Sequence, residues 1–501
     1  MADAVLNQLW DASNHEQALR QVSYSTVTPI KLTNFVDGFF STSSSTSAQL
    51  DSVNPQNGKS YAKVPNSSAN DVDAAVLSAH RAFSSWSKTS PAARSITLNK
   101  IADIIASRRN IFATWESIDQ GKTYERAQIE IDRAVSNFRY FAGYILHQES
   151  AARFTDTNHL TYEHHSPKGV FALISPWNMP LYLLTWKIAP CLAFGCAAVA
   201  KPSELTSVTA FLLANVLREA RLPNGVINII FGAGAPTGKA LVNHKLVKGI
   251  SFTGGTATGI QIRKDTAEAI GKHLSLQLGG KNPTLVFADA DLAEAVRTSA
   301  IAAFENQGEI CLCGSRTYVE RSLFTTFVIH FVLHVAANYK LRCNVGAVVS
   351  AAHYDKVRGY LALAKKEGAK FELGEVPPKQ PQGGYWIPPT ILTDVASRSS
   401  VMRDEIFGPV VTITPFDSED EAINLANDNP NGLAAVLLTK DMSRTRRVGE
   451  QIDAGLVWVN CWLVRQLATP FGGMKSSGTG REGGAYSREV FTNVRTLHIP
   501  M

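Results

Sequence analysis

The chain has 501 residues, 45% hydrophobic and 18% charged, which excludes disorder over most of its length and suffices for two or three domains with sizeable cores. Its formal charge of +6 is spread over 49 basic and 43 acidic side chains without a run of Lys and Arg interleaved with aromatics, so no nucleic-acid partner is expected and an anionic substrate is mildly favoured. Six cysteines with no CxxC pair are too sparse for a disulfide framework and point to a reducing compartment, the cytoplasm.

Residues 1–30, with Asp3, Asp11 and Glu16, show neither an apolar signal core nor an Arg-rich amphipathic face and read as a short variable extension. From Asn34 to Lys63 short alternating strands are interrupted by the Ser/Thr-rich stretch Ser41 to Ser47, expected to be a surface loop. Asn66-Ser-Ser matches a glycosylation triplet, which has no meaning in the cytoplasm. Helical patterns follow from Ser68 to about Leu146.

Between Gly169 and Phe287 compact apolar runs (GVFALIS, CAAVA, VINIIF, GISF) alternate with helical stretches such as Ser207 to Ala220, which predicts a parallel sheet covered by helices. The most apolar stretch, Leu181 to Ala200, contains Lys187, Pro190 and Gly195 and reads as buried chain, so no membrane role is expected. A second mixed region, from about Leu278 to Gly480, has strand candidates at Arg316 to Glu320, Val410 to Phe416 and Leu456 to Asn460. Leu160 to His164 and Thr496 to Ile499 are strand candidates without local partners, which pair with each other or with another subunit.

Two local patterns carry chemistry. In Asn306-Gln-Gly-Glu-Ile-Cys311-Leu-Cys313 a cysteine follows a glycine-containing polar turn, where a thiol is reachable and backbone amides can stabilise its thiolate; Cys313 is expected to be core packing. Phe252-Thr-Gly254-Gly255-Thr-Ala-Thr-Gly259 ends an apolar strand and opens a helix, so free N–H groups and the helix dipole can meet a pyrophosphate, although G-x-G-x-x-G is absent. His330 and His334 stand four apart on a helix but lack HExxH or acidic neighbours, so no metal is expected.

FENQGEICLCGSR resembles the nucleophile segment of the aldehyde dehydrogenase superfamily, and the other signatures of that family follow in order from about Asn34 to the C-terminus. ISPWNMPLYLLTWKIAP, AKPSELTSVTA, NQGEICLC and NCWLVRQL look like the branch that oxidises 2-aminomuconate and 2-hydroxymuconate semialdehydes. The resemblance implies an α/β fold in three parts. These are a Rossmann-like NAD domain (31–148 and 168–276), a catalytic domain (277–481) and a small β oligomerisation arm (149–167 and 482–501), assembled as a homodimer or homotetramer.

It also implies roles. Cys311 attacks an aldehyde, and the oxyanion meets the Asn178 side-chain amide and the Cys311 N–H. For NAD it implies Trp177, Gly234, Gly254, Gly255, Gly259 and Leu278, with Glu405 and Phe407 of EIFGP at the ribose and ring and Lys201 and Glu204 at the adenosine ribose, where a carboxylate repels a 2′-phosphate. Gly255 stands where the family often has Ser.

The main departure is Gln277, in place of the glutamate that activates water to hydrolyse the thioester. An amide accepts no proton at neutral pH, so acylation survives while deacylation slows, unless Glu482 substitutes or another acceptor such as coenzyme A takes the acyl group. A catalytically impaired NAD-binding pseudoenzyme is the alternative. Arg465 matches one of the branch's two substrate-holding arginines, and Arg133, in a stretch one residue shorter than the pattern, stands for the second. The connector Asn338 to Val345 is shorter than usual, which puts local folding and cofactor contacts near His353 and Lys356 in question.

Overall fold

The computed structural model describes residues 2–12, 14–23, 29–41, 49–381 and 383–501. The expected Ser/Thr-rich loop lies, from 42 onward, outside the described residues.

The helices Ala2–Trp10 and His15–Ser23 do not trail away as a free extension: Leu6, Leu9 and Ala18 are buried in the first core, and the Trp115 indole donates to the Leu9 carbonyl at 2.9 Å. The helical run expected from Ser68 divides into Ala69–Trp86, Pro91–Ser107, Arg109–Gln120 and Tyr124–Tyr144. Ser68, Ser90 and Thr123 cap three of these by accepting from first-turn amides, and Pro91 supplies a preset φ at its first position.

An eight-stranded sheet runs in the order 478–479, 273–277, 247–253, 170–174, 197–201, 227–229, 34–36, 39–41. Its five central strands are parallel, and the registers Ile174↔Lys201, Phe252↔Ile174 and Thr253↔Gln277 align their C-terminal ends. Trp177, Glu204, Gly254 and Leu278 all follow that one edge, where open α/β sheets bind ligands. The apolar Leu181 to Ala200 stretch is fully buried here, as the helix Pro180–Ala193 and the strand Ala197–Lys201. Among the described residues, no helix is long and apolar enough to cross a membrane.

A seven-stranded sheet, ordered 370–373, 390–393, 410–416, 316–320, 283–286, 434–438, 456–459, is parallel except at its first edge strand. The short connector after the helix Arg321–Asn338 closes as a compact turn in which the Asn344 and Val345 amides both donate to the Lys340 carbonyl at 3.1 Å. Val345 is then buried and Ser350 caps the helix Ala351–Lys366, so His353 and Lys356 remain in place.

A third sheet joins Ala152–Asp156, His159–Pro167 and Thr492–Pro500, with the last two paired antiparallel from Thr492↔Pro167 to Pro500↔His159. The chain reaches the first sheet again at Gly478–Thr479, before the expected boundary at 481. Val490 and Phe491 of the helix Gly484–Phe491 join the first core, so the third sheet draws only Thr492–Pro500 from the segment 482–501.

Candidate active site

At the C-terminal edge of the first sheet, Gly255 opens the helix Thr256–Asp265 with no side-chain cap, leaving its first amides free at a groove of about 680 Å³. Trp177, Lys201, Glu204, Gly234, Gly254 and Gly255 line that groove. Lys201 Nζ donates to the Pro202 carbonyl at 3.0 Å and lies 3.5 Å from Glu204 Oε2; burial pulls its ammonium below the usual lysine range. A side-chain carbon on Gly254 would sit 2.5 Å from the Phe252 ring, whereas one on Gly255 would meet open space. Gly259 does not line the groove. It packs under Leu278, with space for a side-chain carbon only 2.5 Å from Leu278 Cδ2, so it positions a wall residue instead of contacting a ligand.

A second cavity, about 270 Å³, continues from Trp177 and Gly254 to Cys311 and is closed by Gln277, Leu278, His353, Lys356, Glu405 and Phe407. The Glu405 carboxylate accepts from the Gly280 amide at 2.9 Å, and Lys356 Nζ donates to the Glu405 carbonyl at 2.9 Å. Phe407 has φ 62°, a costly conformation for a bulky side chain. It is held there by His353 Nε2 against its carbonyl at 2.6 Å and by an edge-on contact of its ring with Trp177 at 5.3 Å.

The nucleophile segment is turned by Asn306, Gln307 and Gly308, all at positive φ (53°, 47° and 74°). Gly308 abuts the EIFGP turn so closely that a side-chain carbon would lie 2.2 Å from the Gly408 carbonyl oxygen. Asn178 Nδ2 donates to the Glu309 carbonyl at 2.8 Å, and the Asn178 carbonyl accepts from Lys122 Nζ at 2.9 Å and Asn306 Nδ2 at 3.2 Å. The Glu309 carboxyl is buried among Gln120 Nε2 (2.6 Å), Gln307 Nε2 (3.1 Å) and the Val349 amide (3.2 Å), and burial pushes it up to about 8.

The Cys311 thiol is reachable, but burial, with Glu405 nearby, pushes it up to about 12; Arg465 and the Cys311 and Leu312 amides act in the opposite direction. The expected amide stabilisation is therefore present and outweighed by desolvation. Cys313 is buried in the second core, as expected of packing.

A third, narrow cavity meets the second at Thr253, Gln277, Leu278 and Cys311, and brings together Arg133, Tyr182, Arg465 and Glu482. Its free space of about 20 Å³ is enough for a water molecule. Arg465 lies 4.2 Å from the ring centres of both Trp186 and Phe471 and donates through Nη1 to Tyr182 Oη. Arg133 stands 5.7 Å from the Tyr182 ring centre. Among the described residues neither arginine pairs with a carboxylate, and Arg465 Nη2 is buried without a hydrogen-bond partner.

Gln277 is 3% exposed, and neither its Oε1 nor its Nε2 has a partner among the described residues. Glu482 shares the cavity, but Oε2 accepts from the Trp186 indole at 2.6 Å, and Oε1 accepts from Ser251 at 3.0 Å, Ser275 at 3.3 Å and Lys187 at 3.5 Å. Sequence reasoning did not single out Glu309, Lys122 or Tyr182. Tyr182 and Glu309 lay inside quoted motifs; Lys122 gains its role through contacts distant in sequence. Among the described residues, no group of three or more His, Cys, Asp or Glu side chains could hold a metal; His330 is exposed, and the His334 carbonyl accepts from Asn338.

An aldehyde dehydrogenase family model matches residues 41–497. The chain is 47% identical over 486 residues to a 2-aminomuconic semialdehyde dehydrogenase of Bos taurus, covering 94% of this chain and 98% of that protein. It is 40% identical over 486 residues to the 2-hydroxymuconic semialdehyde dehydrogenase of Pseudomonas sp. (strain CF600), covering 94% and 100%. The NAD+ complex of an aldehyde dehydrogenase from Bacillus cereus superposes with a TM-score of 0.90 at 36% identity, covering 94% of this chain and 97% of that one. The nucleophile turn, the cavities that meet at Cys311 and the match over nearly the whole length lead to one conclusion: the chain belongs to the aldehyde dehydrogenase family.

Proposed function

We propose that this aldehyde dehydrogenase oxidises an acid-bearing semialdehyde, of the 2-aminomuconate type, to its carboxylic acid with NAD through a thioester on Cys311. The observation that carries the reading is the junction. Cys311 and Gln277 line both the cavity walled by Glu405 and Phe407 and the cavity holding two arginines without carboxylate partners.

The groove fits NAD. Uncapped amides at the helix Thr256–Asp265 suit a pyrophosphate, and Lys201 with Glu204 suits an adenosine ribose while disfavouring a 2′-phosphate. Trp177, Glu405 and Phe407 would hold the nicotinamide ribose and ring. NAD, when bound, accepts the hydride that leaves the aldehyde carbon.

The Cys311 thiolate adds to the aldehyde carbon, and the oxygen that gains charge faces Asn178 Nδ2 and the Cys311 amide. Loss of hydride leaves an acyl group on Sγ, and a water molecule must then attack it. Gln277 can orient that water but not deprotonate it, and losing a general base costs about a hundredfold to ten-thousandfold in the step it serves. Glu482 is a poor substitute because four side chains donate to its oxygens, Trp186 at 2.6 Å, Ser251 at 3.0 Å, Ser275 at 3.3 Å and Lys187 at 3.5 Å. The unpartnered amide of Gln277 also favours a second reading, a protein that binds NAD but does not turn over.

The third sheet supports assembly into dimers or tetramers, and six free cysteines support a reducing compartment such as the cytoplasm. The substrate class is tested by comparing an acidic semialdehyde with a neutral aldehyde of equal length in Arg465→Met and Arg133→Met. For the acid, KM should rise about tenfold to a hundredfold, the worth of one or two charge-assisted hydrogen bonds, with little change for the neutral aldehyde. Equal effects on both aldehydes would contradict the reading.

A further inference from the structure

Among the described residues, Arg465 forms no ion pair with a carboxylate. A guanidinium is a delocalised cation with five donors and no acceptor. Arg465 Nη2 is buried without a partner, and what surrounds it is two aromatic faces and the Tyr182 hydroxyl. Aromatic faces offset only part of the cost of burying a cation, so any negative charge that forms in the same cavity is favoured.

Three side chains in that cavity could meet the charge. Glu482 is bonded to Trp186, Ser251 and Ser275 and lies beside Lys187. Gln277 is neutral and cannot oppose or satisfy it as an anion. Cys311 remains: a group at the cavity junction that becomes an anion by losing a proton to water.

We propose that Arg465 is a positioning residue for the nucleophile, its positive charge favouring the anionic form of Cys311. The inference rests on reading Arg465 as a holder of the substrate's acid group and adds that one side chain serves both acid recognition and nucleophile activation. With glutamate at 277 a second carboxylate would join Glu482 in opposing this field; in this chain Glu482 stands there alone, held by Trp186, Ser251, Ser275 and Lys187.

The other charged and titratable groups lining the two cavities with Cys311 are Arg133, Tyr182 and Glu482 in the same cavity, and Glu405, Lys356 and His353 on the opposite side. Glu405 works against the thiolate, and His353, pulled down to about 4 by burial, is neutral at working pH. Arg465 opposes the burial and the Glu405 charge that together push the thiol up.

The test is the pH dependence of Cys311 alkylation by iodoacetamide in the full-length protein without NAD, followed by peptide mass spectrometry. The thiolate displaces iodide as the S–C bond forms, so the rate follows the thiolate fraction. Arg465→Met should slow alkylation at a fixed pH below the midpoint about tenfold, the effect of a one-unit rise, while Arg465→Lys stays near wild type. Gln277→Glu, which introduces the opposing charge without touching Arg465, should also shift the midpoint upward. Cys343, on the exposed connector turn, should not move in any variant.

Superimposable Cys311 profiles for wild type and a folded Arg465→Met, or for wild type and Gln277→Glu, would overturn the proposal. If Arg465→Met loses preference for acidic aldehydes with its alkylation unchanged, the substrate reading stands and this one falls. Slower alkylation without any acid preference supports the coupling and contradicts the substrate reading.

Discussion

Glu309 holds the nucleophile turn to its surroundings: its carbonyl takes the Asn178 amide, and its carboxyl takes Gln120 and Val349 from distant segments and Gln307 from the turn itself. Burial raises that carboxyl from 4.5 to about 8, so between these values the unfolded chain releases a proton that the folded chain keeps. The stability it contributes is complete below about pH 4.5 and lost as pH rises through about 8. The melting temperature should therefore fall from pH 6 to 9 in the wild type, and fall less in Glu309→Gln; parallel curves would refute this. Cys311, Asn178 and Gln277 were legible in the sequence because their chemistry is tied to recognisable segments. What Glu309 and Lys122 hold was not, since Gln120 and Glu309 meet across 189 residues and no local pattern announces a contact of that kind. The opposition of Arg465 and burial at Cys311 was equally invisible, because it depends on which side chains share one cavity.

At the scale of elements, the strand, glycine turn and helix from Val247 to Asp265 build the groove proposed for NAD, and their rhythm was readable as an apolar run followed by small residues. What each glycine does was not readable. Gly259→Ala would place a carbon 2.5 Å from Leu278 Cδ2, too close to be tolerated without a shift, and so displace a cavity wall. Its KM for NAD should rise severalfold to about tenfold, whereas Gly255→Ser, which meets open space, should keep or lower that KM. Titration of NAD against both variants checks this, and a Gly259→Ala protein with unchanged affinity would count against the packing argument. Strand existence followed from apolar runs, but strand order did not: the two-residue strand Gly478–Thr479, which joins the first sheet beside Gln277, is too short for any periodicity.

Across the whole molecule, the two strands without local partners pair with each other over Thr492–Pro500 and His159–Pro167, and leave an exposed sheet carrying Phe154 at 69% and Val494 at 59% exposure. Apolar side chains on an exposed sheet suit a second copy of the chain. Deleting 492–501 should reduce the protein to monomers in light scattering; an unchanged mass would place assembly elsewhere. The docking of Leu6, Leu9 and Ala18 onto the first core was not legible, because two nine-residue helices announce no partner in their own sequence.

The catalytic account meets its most direct test in stopped-flow NADH production with 2-aminomuconate semialdehyde, comparing wild type, Gln277→Glu and Cys311→Ala. The account predicts a burst near one equivalent followed by slow turnover in the wild type, turnover faster by about a hundredfold or more in Gln277→Glu, and no burst in Cys311→Ala. Fast linear turnover in the wild type would show that Gln277 does not limit deacylation; NAD binding with no burst from any aldehyde would show a pseudoenzyme.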